Sequence, residues 1–124
     1  MGKRAPIAES QPRVRWRMRI MRGEIIAIGP GKISLLEAIR EHGSITAAAK
    51  SLDMSYRRAW LLLSEINNSL AFPATVSSHG GASGGLSQLT EVGEQIVLLY
   101  RKIEEQSTVA NQKELDQLIK LLKK

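Results

Sequence analysis

The stretch GSITAAAKSLDMSYRRAW, Gly43 to Trp60, decides how this chain is read. Two short helical patterns stand back to back, one rich in alanine and one opening with Ser-Tyr-Arg-Arg. Ser44 is expected to cap the first, over about residues 45–52, because its hydroxyl can accept a backbone N–H of the opening turn. Asp53 and Met54 form a short turn, and Ser55 caps the next helix. A helix meant only for packing would carry larger apolar residues than Ala47, Ala48 and Ala49. Small side chains suit a helix that must cross its neighbour closely and leave the neighbour's amino end open.

Upstream, GPGK at Gly29–Lys32 breaks the chain before a helical stripe of Ile33, Leu35, Leu36 and Ile39 that ends near Gly43. His42 is expected at the end of that helix, where positive charge is favoured. Residues 13–20, RVRWRMRI, alternate strictly. Arg13, Arg15, Arg17 and Arg19 point one way, and Val14, Trp16, Met18 and Ile20 the other. That period predicts a half-buried strand, with a turn at Gly23 and a return strand in EIIAIG. The arginine row is either a solvated sheet face that discourages edge pairing or an auxiliary phosphate contact. Residues 1–12, with two prolines and no apolar period, read as a disordered basic arm.

Downstream, Ala59, Leu62, Leu63, Ile66 and Leu70 hold one face of the third helix, which Pro73 stops. TVSS and LSQL read as two strands flanking the loop HGGASGG. Thr90 caps a fourth helix through about Gln106, with Val92, Ile96, Val97, Leu99, Tyr100 and Ile103 apolar. A polar break near Ser107 and Thr108 precedes a last amphipathic helix carrying Leu115, Leu118, Ile119 and Leu122. The order is hairpin, three helices, hairpin, helix. It predicts a mainly α chain with small β content: a winged helix-turn-helix over 13–89 with an N-terminal β-hairpin, then a long C-terminal helix and a final helix over 90–124.

Totals narrow the function. The 124 residues suit one domain, and 43% hydrophobic residues are enough for a core. The net charge of +6 lies wholly in residues 1–22, where seven cations face Glu9 alone; the remaining residues hold eleven charges of each sign. A basic balance points to an anionic partner, but here its location cannot by itself assign the central helices to nucleic acid. The absence of cysteine excludes thiolate catalysis, disulfides and cysteine zinc sites. His42 and His79 have no ligand-spaced partner, so no metal is expected. No carboxylate pair or activated serine supports an enzyme. No apolar run approaches the roughly 18 residues of a membrane span, and the polar N-terminus lacks a signal's apolar stretch, so a cytoplasmic chain is expected.

The opening of the third helix suits DNA. Its free N–H groups favour phosphate, and Arg57 can offer a fork to guanine O6 and N7. Tyr56 and Trp60, four residues apart, share a face. Trp60 is either a flat surface for DNA or a core anchor between helices. Arg58 and Lys50 are read as phosphate contacts, with a merely solvated Arg58 as the other reading. Ser44, Thr46, Ser55 and Ser64 complete the helical candidates. His79, Gly80 and Gly81 sit in the glycine loop, which is either a wing tip approaching the backbone or a plain flexible hairpin tip. As a phosphate cradle the loop is weak, since no helix-opening Gly-Lys-Ser/Thr follows it.

Taken together, GPGKISLLEAIREHGSITAAAKSLDMSYRRAW, the Gly-Gly loop and LTEVGEQIVLLY resemble the N-terminal DNA-binding domain of molybdate-responsive ModE-type regulators. The GSIT…AAA…L core is similar, more loosely, to LysR-type winged helices. The resemblance covers roughly residues 14–106. It implies a homodimer on a palindromic double-stranded operator. It implies recognition by Ser55, Tyr56, Arg57, Arg58 and Trp60, and a dimerisation helix over 90–106 with Val92, Ile96, Leu99, Tyr100 and Ile103 in the seam. Long members carry small β-barrel oxyanion-binding domains after that helix. Only about 18 residues follow Gln106 here, so neither a cofactor nor molybdate binding is expected of this chain. The function expected is therefore a sequence-specific transcriptional regulator, with a protein-interaction module on the same scaffold as the alternative.

Overall fold

A computed structural model describes residues 11–78 and 85–124. The elements run β1 (Ile20–Arg22), β2 (Ile25–Ile28), α1 (Pro30–His42), α2 (Ile45–Ser51), α3 (Tyr56–Ser69), β3 (Thr75–Ser78), β4 (Leu86–Leu89), α4 (Glu91–Ala110) and α5 (Gln112–Lys120). β1 pairs antiparallel with β2, and β3 with β4. This is a winged helix-turn-helix with an N-terminal hairpin and a C-terminal helical extension. Residues 1–10, within the expected arm, and 79–84, the wing tip with His79, Gly80 and Gly81, lie outside the described residues.

The core gathers apolar side chains of α1, α2, α3 and α4: Leu35, Leu36, Ile39, Ala48, Ala49, Leu63, Ile66 and Val97 are all buried. Ala48 and Ala49 show why alanine was needed, since both are sealed where α2 crosses its neighbours. α2, α3 and α4 each open on a capping hydroxyl. Ser44 Oγ accepts from Ala47 N at 3.1 Å, Ser55 Oγ from Arg58 N at 3.0 Å, and Thr90 Oγ1 from Gly93 N at 3.1 Å. α1 instead begins at Pro30, whose fixed φ suits a first turn, and ends on Gly43 in the left-handed region at φ 77. The wing is fastened to that end, where Ser87 N donates to Gly43 O at 2.8 Å.

Gly93 sits where α4 meets the segment entering β3. A Cβ there would overlap the Ala74 carbonyl oxygen, so no larger residue fits without moving backbone. Asn67 organises the same corner. It accepts from Ala74 N at 2.8 Å and donates to Thr75 Oγ1 at 3.2 Å. Leu70 is already extended, so α3 ends at Ser69, before the proline expected to stop it.

Two boundaries depart from the sequence reading. The strand expected over 13–20 is only Ile20–Arg22. β2 is four residues long because the helix starts directly after Gly29, so only the residues next to the Gly23 turn find a ladder partner. The alternating segment upstream runs along α4 instead. Trp16 Nε1 donates to Thr108 Oγ1 at 2.8 Å, and Tyr100 OH donates to Met18 O at 2.9 Å. The break expected near Ser107 and Thr108 falls at Asn111. Thr108 Oγ1 donates back to Glu104 O at 3.1 Å, so its hydroxyl is satisfied inside the helix.

Candidate nucleic-acid interface

The turn between α2 and α3 is tight because Asp53 takes a left-handed conformation, φ 56, which a short polar side chain tolerates. Met54 N donates to Ala49 O at 3.0 Å and closes the turn. α3 then leaves with Ala59, Leu63 and Ile66 buried. Its other face is open: Tyr56 is 53% exposed, Trp60 50% and Leu61 47%. Arg57 and Arg58 are exposed as well. Of the two readings of Trp60, the core anchor is therefore ruled out. The indole half-faces solvent one turn after Tyr56.

Six of the candidates fall into two groups around α3. Thr46, Lys50, Ser55 and Tyr56 line one shallow depression of about 470 Å³ over the turn, with Asp53 at its rim. Trp60 and Ser64 line another of about 460 Å³, which reaches Asn68 and, on the wing, Ser77. Ser44 is half-buried and occupied as a cap. Sequence reasoning missed Leu61, Asn68 and Ser77. The first two were legible as the continuation of the Arg57 face at helical spacing, 57, 61, 64 and 68. Ser77 carried no such signal, because only folding brings the wing beside α3.

Electrostatics favour an anion on this face. The first turn of α3 has no acidic residue. Among the described residues, neither Arg57 nor Arg58 makes an ion pair. Glu65, further along, is paired with Lys32 at 2.9 Å. Lys32 is itself buried and also donates to the Ile26 carbonyl, so it ties β2 to α3 and is not available to a ligand.

The long helix is dressed differently. Arg101 bridges Glu37 of α1 at 2.6 Å and Glu104 at 2.7 Å, and these hydrogen-bonded carboxylates push its pKa up against the opposing effect of burial. Arg40 pairs with Glu94 at 2.9 Å. Leu98, Leu99 and Ile103 stand exposed, while Val92 and Ile96 are half-buried. Tyr100 is corrected from the expected seam. It is 2% exposed and closed over by its own chain's Met18 segment, so it cannot face a partner. Burial raises its phenol pKa, with Glu104 adding to the rise and Arg101, Arg17 and Arg19 opposing it. Among the described residues no three His, Cys, Asp or Glu side chains gather as a metal site, and no helix is long and apolar enough to cross a membrane.

Part of the chain is similar to curated proteins. A stretch of 78 residues, 63% of the chain, is 44% identical to the molybdenum transport protein ModE of Azotobacter vinelandii and spans 29% of that protein. Over this stretch the chain is similar to that protein. Seventy-seven residues, 62% of the chain, are 40% identical to the molybdenum-pterin-binding protein MopB of Rhodobacter capsulatus, spanning 28% of it. Seventy-one residues, 57% of the chain, are 37% identical to the DNA-binding transcriptional dual regulator ModE of Escherichia coli K12, spanning 27% of it. The chain thus covers less than a third of the length of each of these relatives. No protein-family model matches it.

Proposed function

We propose that this chain is a sequence-specific, duplex-DNA-binding transcriptional regulator that works as a homodimer. The observation that carries the reading is the open amino-terminal half of α3, with Tyr56, Arg57 and Trp60 exposed on a helix whose opposite face is core. The likeness to ModE-type proteins, one of them named a DNA-binding transcriptional regulator, supports it. Arg57 reads guanine in the major groove, and Trp60 and Tyr56 lie on sugar or thymine methyl groups. Thr46, Lys50, Ser55 and Arg58 meet phosphates and set the register, with Ser44 and Ser64 at the margins. His79, Gly80 and Gly81 approach the backbone at the wing tip, a role that rests on sequence alone.

The dimer forms through the exposed stripe of α4, Leu99 and Ile103 at its centre with Val92 and Ile96 beside them. Its twofold symmetry requires a palindromic operator. These contacts need no cofactor or metal, and a DNA partner puts the chain in the cytoplasm. The alternative, a protein-binding winged helix, draws on the same exposed Tyr56, Trp60 and Leu61 surface. A titration of labelled duplexes, one selected from a random pool and one scrambled, across a salt series separates the two. The regulator binds the selected duplex at least a hundredfold tighter. Weak binding that ignores sequence at modest salt decides for the protein module.

A further inference from the structure

By sequence the arginine row is either a solvated sheet face or a phosphate contact. The structure removes the sheet, while all four arginines stay exposed. Residues 13–19 belong to no sheet. The segment is instead pinned at two points to α4, through the Trp16 indole on Thr108 and the Met18 carbonyl on Tyr100. Arg17 and Arg19 flank the second of these anchors, so their backbone is fixed before any ligand arrives.

Both arginines lie between that anchor and α3. With Arg58 and Leu62 of that helix they line a depression of about 310 Å³, floored by the backbone at Gly29 to Gly31. A Cβ at Gly29 would press on Ile26 Cγ2 at 2.9 Å, with Arg19 Cγ beyond it at 3.4 Å, so Arg19 packs beside this floor. Glu65 is the carboxylate in the lining, and Lys32 already neutralises it at 2.9 Å. Among the described residues none of Arg17, Arg19 and Arg58 has an ion-pair partner. Three arginines without ion-pair partners therefore line one hollow whose carboxylate is already paired. The hollow adjoins the exposed amino end of α3, because Arg58 follows Arg57 in that helix's first turn.

We infer that the depression between the N-terminal segment and α3 is a second DNA-binding site, taking phosphodiester oxygens beside the groove that α3 enters. This inference rests on the duplex-binding reading proposed above. Arg17 and Arg19 supply bidentate charge-assisted hydrogen bonds to phosphate, with Arg58 shared between the two surfaces. Such contacts carry no base information, so the site adds affinity and salt dependence and leaves sequence preference alone.

The test uses the full chain, the selected and scrambled duplexes, and potassium chloride from low to moderate concentration. Arg17→Ala with Arg19→Ala weakens both duplexes alike, by roughly tenfold or more near 0.1 M salt, and makes the slope of log affinity against log salt shallower by about 1.8. Arg17→Lys with Arg19→Lys keeps most of the slope, which separates lost charge from lost structure. An unchanged slope in the alanine variant, with the unmodified chain still binding duplex, overturns the second site alone. No duplex binding by the unmodified chain overturns both readings. Inorganic phosphate is titrated in parallel. Its saturable binding, lost in the alanine variant while the duplex slope stays put, reassigns the hollow to a small oxyanion and sinks the DNA contact.

Discussion

α3 and α4 are both amphipathic, and both leave large apolar residues in solvent, yet their surfaces differ in kind. On α3 the exposed residues are Tyr56, Arg57, Trp60 and Leu61, and no carboxylate of the helix answers the arginines. On α4 the exposed residues include Leu98, Leu99 and Ile103, and two of the charges beside them are paired with α1: Arg101 with Glu37, and Glu94 with Arg40. Unpaired cations among aromatics suit a polyanion with flat faces. Aliphatic side chains beside charges paired within the fold suit a second apolar surface. What an exposed helix face is ready to bind thus depends on whether its charges already have partners within the fold.

The comparison breaks first at the joint between the wing and α4. Gly93→Ala is expected to lower unfolding stability by about 3 kcal/mol in urea titration, because the new methyl overlaps the Ala74 carbonyl. Gly31→Ala, with open space at its Cβ, is the control and stays within about 0.5 kcal/mol. Next in size, Arg57→Ala costs roughly 1–3 kcal/mol on the selected duplex and relaxes preference at one base position. A uniform loss across sequences would make Arg57 a phosphate contact only. Its unfolding midpoint should not move, since the side chain is exposed and unpaired.

On the α4 side, Leu99→Glu with Ile103→Glu weakens self-association at least tenfold, about 1.4 kcal/mol, by sedimentation, and leaves the helical circular dichroism intact. An unchanged dimer, or a chain that was monomeric from the start, would remove α4 as the seam. The smallest effect is that of Tyr100→Phe, about 1 kcal/mol, from leaving the Met18 carbonyl short of a donor. Tyr100 also predicts a pH dependence. Its folded pKa lies above 10.0, so its contribution is complete below that value and is lost as pH rises through the folded pKa. Stability curves of the parent and of Tyr100→Phe should therefore converge in strong alkali. Parallel curves there would mean the phenol is not buried as described.

Much of this molecule could be read before folding. Capping serines at 44 and 55, the alanines between them, and the 3.6-residue apolar period of α1 and α3 depend on neighbours within a few residues. Local physics of that kind is written directly in the chain. The DNA-facing candidates were readable for the same reason, because burying Ala59, Leu63 and Ile66 turns Arg57 and Trp60 outward on a rigid helix.

Other features waited on contacts between distant residues. A strict two-residue alternation over 13–20 was a sound strand signal, but a strand needs a partner of its own length, and Gly29–Pro30 ends that partner after four residues. Tyr100 belonged to the apolar stripe of α4 by period alone, yet a segment 82 residues away closes over it. The same closure carries Arg17 and Arg19 from an apparent sheet face to the flank of α3. Chain periodicity thus determined which face of each helix is apolar; tertiary packing decided which apolar and cationic groups stay open to a partner, because burial is a property of what lies across the gap.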